Sequence, residues 1–316
     1  MKKKVLIMVT TLVALLLVIV TSASFYFYNV AVARADKSFL NGNPDLEVSA
    51  DIDELTFTKS EAWWEERSFE EWSMVSDDGL KLHAYYLAAE SKTDTTVIIA
   101  HGYSGKATDM GNLAQMYGDK LGYNVLLPDA RGHGNSEGSY IGFGWPERKD
   151  YVKWINKVIE HTGEQSQIVL HGVSMGGATV LMTSGEKLPS NVKAIVDDCG
   201  YTSAKEQLTY QLKRMYHLPS FPLVQTTSLL TKLRAGYFFG EASSLKQVKK
   251  SVTPTLFIHG DADLFVPSEM VHELYDNGPS EKQLYIAPGA GHGLARTVDP
   301  EKYDQVVKEF IRTYVK

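Results

Sequence analysis

Residues 172–177 read Gly172-Val173-Ser174-Met175-Gly176-Gly177, and this stretch decides the fold. It follows an apolar run that ends at His171 and precedes a segment of helical length. A serine hydroxyl becomes a nucleophile when it is held exposed beside a base, and a sharp turn from a strand into a helix exposes it. Glycines on both sides suit such a turn, because its neighbours approach closely. The stretch therefore predicts Ser174 as a nucleophile at a strand-to-helix turn.

Outward from this turn, short apolar runs alternate with segments of helical length. Continuous Val/Ile/Leu runs are typical of strands that helices cover on both faces. The predicted strands are 96–100, 124–128, 168–171, 192–196, 255–259 and 283–286, and the predicted helices are 147–160, 176–187, 268–277 and 300–315. Two earlier runs, 69–75 and 80–88, flank Asp78-Gly79, which is a hairpin signal. The pattern predicts an α/β fold with a mostly parallel, twisted sheet flanked by helices.

One interval does not fit simple alternation. More than fifty residues separate the strand ending near Asp198 from the one beginning near Thr255, which is too long for an ordinary crossover. The interval is rich in Leu, Tyr and Phe, and this composition argues against disorder. We expect a helical cap insertion over the active site at about residues 201–245, with helices at 205–216 and 221–233.

A serine nucleophile needs a histidine base that another part of the chain supplies. Of the nine histidines, His292 is the best placed, because it lies in a glycine-rich loop between the last predicted strand and the last helix. Four others lie beside a glycine at a strand end or turn, and we interpret them as structural: His101, His133, His171 and His259.

The orienting carboxylate should leave the strand before the one that precedes His292. Two candidates follow that strand, Asp261 and Asp263. We prefer Asp263, which lies further round the turn, and expect Asp261 to brace the loop. The preferred residue would hold the imidazole tautomer and stabilise the imidazolium that forms during reaction. The resulting chain order is serine, aspartate, histidine.

Backbone N–H groups would stabilise the oxyanion. Met175 N–H is one candidate, because the helix that begins after Ser174 aims free N–H groups at the reaction site. Tyr103 N–H is the second, in the loop His101-Gly102-Tyr103-Ser104-Gly105 that follows an earlier predicted strand. The alternative interpretation of this loop is a glycine turn without catalytic duty.

Two further polar features have structural interpretations. In the stretch 128–136, Asp129 is expected to pair with Arg131 and hold the shape of a loop after a strand. Cys199 is the single cysteine, so it cannot close an intramolecular disulfide, and we interpret it as a small buried hydrophobe.

The N-terminus predicts a membrane segment. Three lysines, at positions 2–4, precede an uncharged stretch from Val5 to Tyr28, and these 24 residues would reach roughly 36 Å as a helix, enough for a hydrocarbon core of about 30 Å. The lysines place this end in the cytoplasm and the remainder outside. We therefore expect a single-pass signal-anchor at 1–33, a linker at 34–58 and an extracytoplasmic domain at 59–316. The alternative is a secreted protein, because Thr21-Ser22-Ala23 and Ala31-Val32-Ala33 both resemble signal-peptidase sites.

Charge excludes some partners. Beyond residue 33 the chain holds 29 basic and 38 acidic residues, a net charge of −9, so no nucleic-acid-binding surface is indicated. The sequence has no cysteine and histidine spacing of the zinc-binding kind, and it gives no information on oligomeric state.

Together these motifs resemble the α/β-hydrolase superfamily. The resemblance rests on His101-Gly102-Tyr103, on residues 129–136, on the stretch around Ser174, on His259-Gly260-Asp261-Ala262-Asp263, and on Gly291-His292, and it spans residues 69 to 315. It is greatest to exported or membrane-associated bacterial esterases similar to serine aminopeptidase and lysophospholipase-like proteins.

The resemblance implies hydrolysis of a small-molecule acyl ester through an acyl-enzyme intermediate, without a metal or an organic cofactor. A serine peptidase is the alternative, since the same triad cleaves amides. The third hypothesis is a non-catalytic binding protein with the same fold.

Overall fold

The computed structural model describes residues 2–40, 42, 43, 45, 46 and 62–316. Its centre is one eight-stranded sheet with the strand order β1-β2-β4-β3-β5-β6-β7-β8. The pairs β1/β2 and β2/β4 are antiparallel and the remaining pairs are parallel. The strands are β1 (Glu70–Val75), β2 (Lys81–Leu87), β3 (Thr95–Ala100), β4 (Asn124–Pro128), β5 (Gln167–Val173), β6 (Val192–Asp198), β7 (Thr255–Gly260) and β8 (Lys282–Ala287). This is the α/β-hydrolase fold, so the predicted fold class is confirmed.

Helices cover both faces of the sheet. The α-helices that lie wholly within the described residues are α1 (Lys2–Phe27), α2 (Gly111–Gln115), α3 (Glu147–Thr162), α4 (Met175–Ser184), α5 (Ala204–Tyr216), α6 (Leu223–Ala235), α7 (Ser244–Val248), α8 (Glu269–Asp276), α9 (Ala295–Val298) and α10 (Pro300–Tyr314). Alternate residues of each central strand enter two separate cores, because successive side chains point to opposite faces. Val97 and Ile99 pack with α10, for example, whereas Ile98 packs with α3 and α8.

Every predicted strand and long helix is present, with ends that differ by a few residues. The interval predicted as a cap contains α5 and α6, and the short helix α7 follows them. The short helical turns between Ala107 and Lys120 were not predicted. They are only four or five residues long, so they carry too few residues to show a helical period.

The N-terminal helix is a separate feature. It continues through a π-helical turn at Tyr28–Val32, and the span Lys2–Val32 is long and apolar enough to cross a membrane by length and composition. None of its most apolar window is buried against the rest of the protein. Of the predicted linker 34–58, residues 34–40 contact the domain, whereas residues 41, 44 and 47–58 lie outside the described residues.

The sheet determines where the candidate residues meet. Ser174 directly follows β5, Asp263 lies in the loop after β7, and His292 lies in the loop after β8. The carboxyl ends of parallel strands lie at the same edge, where α/β folds bind ligands. All three side chains are therefore brought to one edge of the sheet.

Candidate active site

Ser174 occupies a strained turn. Its backbone has φ 57° and ψ −116°, outside the regions that a non-glycine residue ordinarily adopts. The turn is also very closely packed: a Cβ on Gly172 would lie 2.0 Å from the Gly176 carbonyl oxygen, and one on Gly176 would lie 2.0 Å from that of Ala100. Both positions therefore require glycine, and the surrounding backbone holds the serine at the start of α4.

The structure brings Ser174, His292 and Asp263 into one hydrogen-bonded chain. His292 Nε2 lies 2.8 Å from Ser174 Oγ, and His292 Nδ1 lies 2.7 Å from Asp263 Oδ2. An ionised Asp263 can only accept, so Nδ1 carries the proton and Nε2 is left free to accept from the serine hydroxyl. This arrangement has the geometry of a nucleophile, a base and an orienting acid.

The surroundings of Asp263 keep it ionised. Burial by itself would raise the pKa of Asp263, but hydrogen bonds from His259 and His292 outweigh burial and hold the pKa well below its usual range. The other oxygen, Oδ1, accepts from the backbone N–H groups of Phe265 and Val266 at 2.9 and 2.8 Å. The carboxylate is thus fixed from both sides before any substrate binds.

His259, which the sequence analysis interprets as structural, contacts the carboxylate of Asp263 directly. Its Nε2 lies 3.2 Å from Asp263 Oδ2 and 2.9 Å from the Val266 carbonyl oxygen. The imidazole is fully buried, and this opposes protonation, yet the Asp263 carboxylate raises the pKa of His259 overall. The spacing of four residues did not predict this contact. His259 lies at the end of β7 and Asp263 in the loop that follows, so no regular helical period brings the two side chains together.

Asp261, the alternative acid, makes a different contact. Its Oδ1 accepts from the Gly289 backbone N–H at 2.6 Å, and the residue is exposed. It thus ties the loop after β7 to the loop that carries His292.

The loop after β3 lies directly beside the serine. A Cβ on Gly102 would lie 3.6 Å from Ser174 Cβ, and Tyr103 and Met175 both line the same pocket as Ser174. His101 fixes this loop: its Nδ1 donates to the Gly102 carbonyl at 2.8 Å, and its Nε2 accepts from Ala130 N–H at 3.0 Å. The backbone N–H groups of Tyr103 and Met175 thus remain the candidate oxyanion donors.

The predicted pairing of Asp129 with Arg131 is wrong. Arg131 forms a buried ion pair with Asp150 at 2.7 Å and a second ion pair with Asp78, which is half exposed, at 2.8 Å. Asp129 instead accepts from the backbone N–H groups of Ala107 and Asn135, each at 2.8 Å. A carboxylate that satisfies backbone N–H groups avoids the cost of leaving them unpaired, so Asp129 stabilises its own loop and ties that loop to the segment after β3.

Cys199 is buried and free, as predicted. Among the described residues, Cys199, Asp263 and His292 place possible metal-ligand atoms within 4.8 Å of one another. Burial raises the pKa of the Cys199 thiol well above its usual value, and this disfavours the thiolate that a metal would require. The hydrogen bond between the other two residues accounts for their proximity without a metal.

A mainly apolar pocket opens from Ser174 and encloses about 110 Å³, which is far more than one water molecule needs. Its walls come from α5 and α6, from loops of the sheet edge, and from the chain that leaves α1. Gln207 and Gln211 of α5 also line it, and both donate through Nε2 to the Phe265 carbonyl. Their Oε1 atoms are buried and accept no hydrogen bond within the part of the chain that the structure describes.

The chain is similar to known hydrolases. Residues 91–220 match the family described as "Serine aminopeptidase, S33". The chain is 33% identical to the uncharacterized protein YqkD of Bacillus subtilis, covering 74% of this chain and 76% of that protein. It is 27% identical to the thermostable monoacylglycerol lipase of Bacillus sp. strain H-257, covering 66% of this chain and 85% of the lipase.

A solved structure supports the same relationship. The esterase Pf2001 of Pyrococcus furiosus superposes with a TM-score of 0.64 at 25% identity, over 79% of this chain and 92% of the esterase.

Substituting Gly176 with alanine should destabilise the protein, because the added Cβ would meet backbone atoms that cannot move aside. We expect a loss of about 3 kcal/mol, which is roughly 6 °C in melting temperature for a domain of this size. The measurement is thermal unfolding of the full-length protein in detergent.

Gly118→Ala is the matched control for that measurement. A Cβ at Gly118 would meet side-chain atoms at 3.8 and 3.9 Å, which is ordinary contact. Equal melting temperatures for the two variants would show that the turn is not sterically constrained.

Proposed function

The chain belongs to the α/β-hydrolase superfamily, and on that premise we propose that it hydrolyses carboxylic esters through an acyl-enzyme intermediate. The observation that carries the proposal is the pair of contacts that joins Ser174 to His292 at 2.8 Å and His292 to Asp263 at 2.7 Å. Ser174 is the nucleophile, His292 the general base and Asp263 the acid that orients it.

In the first half of the reaction, His292 Nε2 takes the proton of the Ser174 hydroxyl as Oγ attacks the ester carbonyl. The negative charge that forms on the carbonyl oxygen is stabilised by the backbone N–H groups of Met175 and Tyr103. The positive charge on His292 is balanced by ionised Asp263, whose lowered pKa keeps it available. His292 then gives its proton to the leaving alcohol.

In the second half, water replaces the alcohol. His292 takes a proton from this water, which attacks the acyl-enzyme carbonyl, and the carboxylic acid leaves as the proton returns to Ser174. Both halves of the reaction use only side chains and backbone N–H groups at the carboxyl-terminal edge of the sheet.

The pocket supports an ester with an apolar acyl group. Most of its walls are aliphatic or aromatic, and two relatives are named as a monoacylglycerol lipase and an esterase. The unpaired amide oxygens of Gln207 and Gln211 can accept hydrogen bonds from a hydroxyl on the alcohol part.

The family match to serine aminopeptidases supports a peptidase as the second candidate. A free substrate amine would favour carboxylates in the pocket, because it is positively charged at neutral pH. Among the described residues that line the pocket, none is acidic. This composition favours the ester.

The N-terminus supports a site of action at the cell membrane. The apolar helix Lys2–Phe27 begins with three lysines, which favour the cytoplasmic side. We place the helix across the cell membrane as a single-pass anchor, with the catalytic domain on the extracytoplasmic side.

The direct test is hydrolysis of p-nitrophenyl esters, from acetate to palmitate, by the full-length protein in detergent. We expect turnover that Ser174→Ala lowers by about 10⁶-fold, to background. Turnover that survives this change would contradict the proposal, as would the absence of both ester turnover and labelling of Ser174 by a fluorophosphonate. Labelling without ester turnover would favour the peptidase.

Asp263→Asn should lower kcat by about 10⁴-fold without loss of the fold. The asparagine side chain can still accept from the backbone through its oxygen, but its amide would donate to His292 Nδ1 and place the imidazole proton on the wrong nitrogen. Asp261→Asn is the matched control, and we expect its kcat to stay within about twofold of the wild-type value. The opposite ranking of the two variants would assign the role to Asp261.

A further inference from the structure

The chain that leaves the N-terminal helix forms part of the pocket that contains Ser174. Five of its residues line that pocket, together with Met175 and the cap helices: Phe27, Val30, Ala31, Phe39 and Leu40. We call residues 27–40 the exit segment. A helix that served only as a membrane tether would not need to contribute residues to the pocket wall.

The exit segment is firmly attached to the domain. Val32 is fully buried and accepts from Ile141 N–H at 2.7 Å, and Ala33 forms an antiparallel bridge with Tyr140. The Arg34 guanidinium donates to the carbonyls of Ser136 and Gly134, each at 2.7 Å. All of these contacts are made to backbone atoms of the loop after β4, so the folded domain sets the position of the exit segment.

Contacts at the pocket itself connect the segment to the candidate oxyanion loop. The Tyr103 hydroxyl donates to the Ala31 carbonyl at 2.8 Å. Lys37 Nζ donates to the carbonyls of Val30 and Ala33 at 2.7 Å, which satisfies acceptors at the end of the helical span. The residue whose N–H would bind the oxyanion thus also holds the exit segment in place.

The cap helix α6 lies against the same anchor. Ser24 Oγ, near the end of the apolar helix, donates to Thr226 Oγ1 of α6 at 2.7 Å. Leu229 and Leu233 follow Thr226 by three and seven residues, so they share its helical face, and they are 52% and 77% exposed. Arg234 lies over the rings of Phe25 and Tyr28 at 5.3 and 5.2 Å. An exposed apolar face that continues from a membrane helix is suited to contact the lipid itself.

We propose that the exit segment is the acyl-binding wall of the pocket, and that the substrate is a long-chain lipid ester that enters from the membrane leaflet in which the helix ends. This inference rests on the proposed esterase function. Moving an acyl chain from water into an apolar pocket gains about 0.8 kcal/mol per methylene, but a chain already in lipid gains little. A pocket whose wall continues the anchor and whose cap faces the leaflet lets the chain transfer without crossing water.

The position of the exit segment also bears on cleavage by signal peptidase. Cleavage after Ala23 would separate Phe27, Val30 and Ala31 from the anchor, and cleavage after Ala33 would remove these three residues from the protein. We therefore expect the active enzyme to be uncleaved at both positions.

The test compares Ala31→Phe, which narrows the pocket, with Ala14→Phe, which makes the same change on the exposed part of the anchor. Both full-length variants are reconstituted in phosphatidylglycerol–phosphatidylethanolamine vesicles, and kcat/KM is measured for p-nitrophenyl palmitate and acetate. We expect Ala31→Phe to lower the palmitate-to-acetate ratio by about tenfold or more, and Ala14→Phe to leave it unchanged. Val30→Ala, which enlarges the pocket, should shift the acyl-chain length that gives the highest kcat/KM towards longer chains.

Wild-type ratios in both Ala31→Phe and Val30→Ala would overturn the acyl wall and leave the esterase proposal intact, provided that turnover still requires Ser174. A second measurement does not depend on turnover. A diazirine-labelled palmitic acid in the same vesicles should cross-link to Phe39, Leu40 and Leu212, which line the pocket and lie outside the apolar helix Lys2–Phe27. Cross-links confined to residues 5–26 would overturn the inference even if no ester is hydrolysed.

Discussion

The close approach of three backbone segments around Ser174 is the constraint on which the site depends. β5 can pass into α4 only because Gly172 and Gly176 present no Cβ to the carbonyl oxygens that lie 2.0 Å from where it would be. The strained Ser174 backbone is held in place because Ser174 N–H donates to the Asp198 carbonyl at 2.8 Å, so the turn is tied to the neighbouring strand. Such strain persists only where the surrounding structure fixes it, and here the sheet does so on both sides.

Most of the fold could be predicted because its signals are local. A strand buried on both faces appears as a continuous apolar run. All six predicted runs, from 96–100 to 283–286, form strands, although the edge strand β8 is only partly buried. The strand-to-helix turn is also local, since its glycines and its serine are neighbours in sequence. The placement of His292 and Asp263 followed from topology: both come after parallel strands, and parallel strands end at the same edge.

What could not be predicted depends on distant contacts. Arg131 pairs with Asp78 and Asp150, which lie 53 and 19 residues away, and the nearer Asp129 gave a misleading local partner. The contact between Gln207 and the Phe265 carbonyl spans 58 residues, and no short motif marks either residue. The exit segment was the hardest part to predict. The sequence from residue 34 to about residue 52 is polar and contains turn-forming residues at 41–44, as a linker does, whereas the docking of Arg34 depends on carbonyls of the loop after β4.

The exit segment gives the N-terminal part of the chain a second role, because its residues form part of the pocket wall. A flexible tether would raise only the local concentration of the enzyme at the membrane, and the pocket would be complete without it. Here the Ala31 carbonyl holds the Tyr103 side chain, Val30 and Phe27 face the pocket, and α6 rests against Ser24. The pocket wall, the loop after β3 and the end of the N-terminal helix are thus one packed unit. In the proposed arrangement, loss of residues 2–40 would remove part of the binding site as well as the membrane attachment, so localisation and substrate binding would depend on one continuous part of the chain.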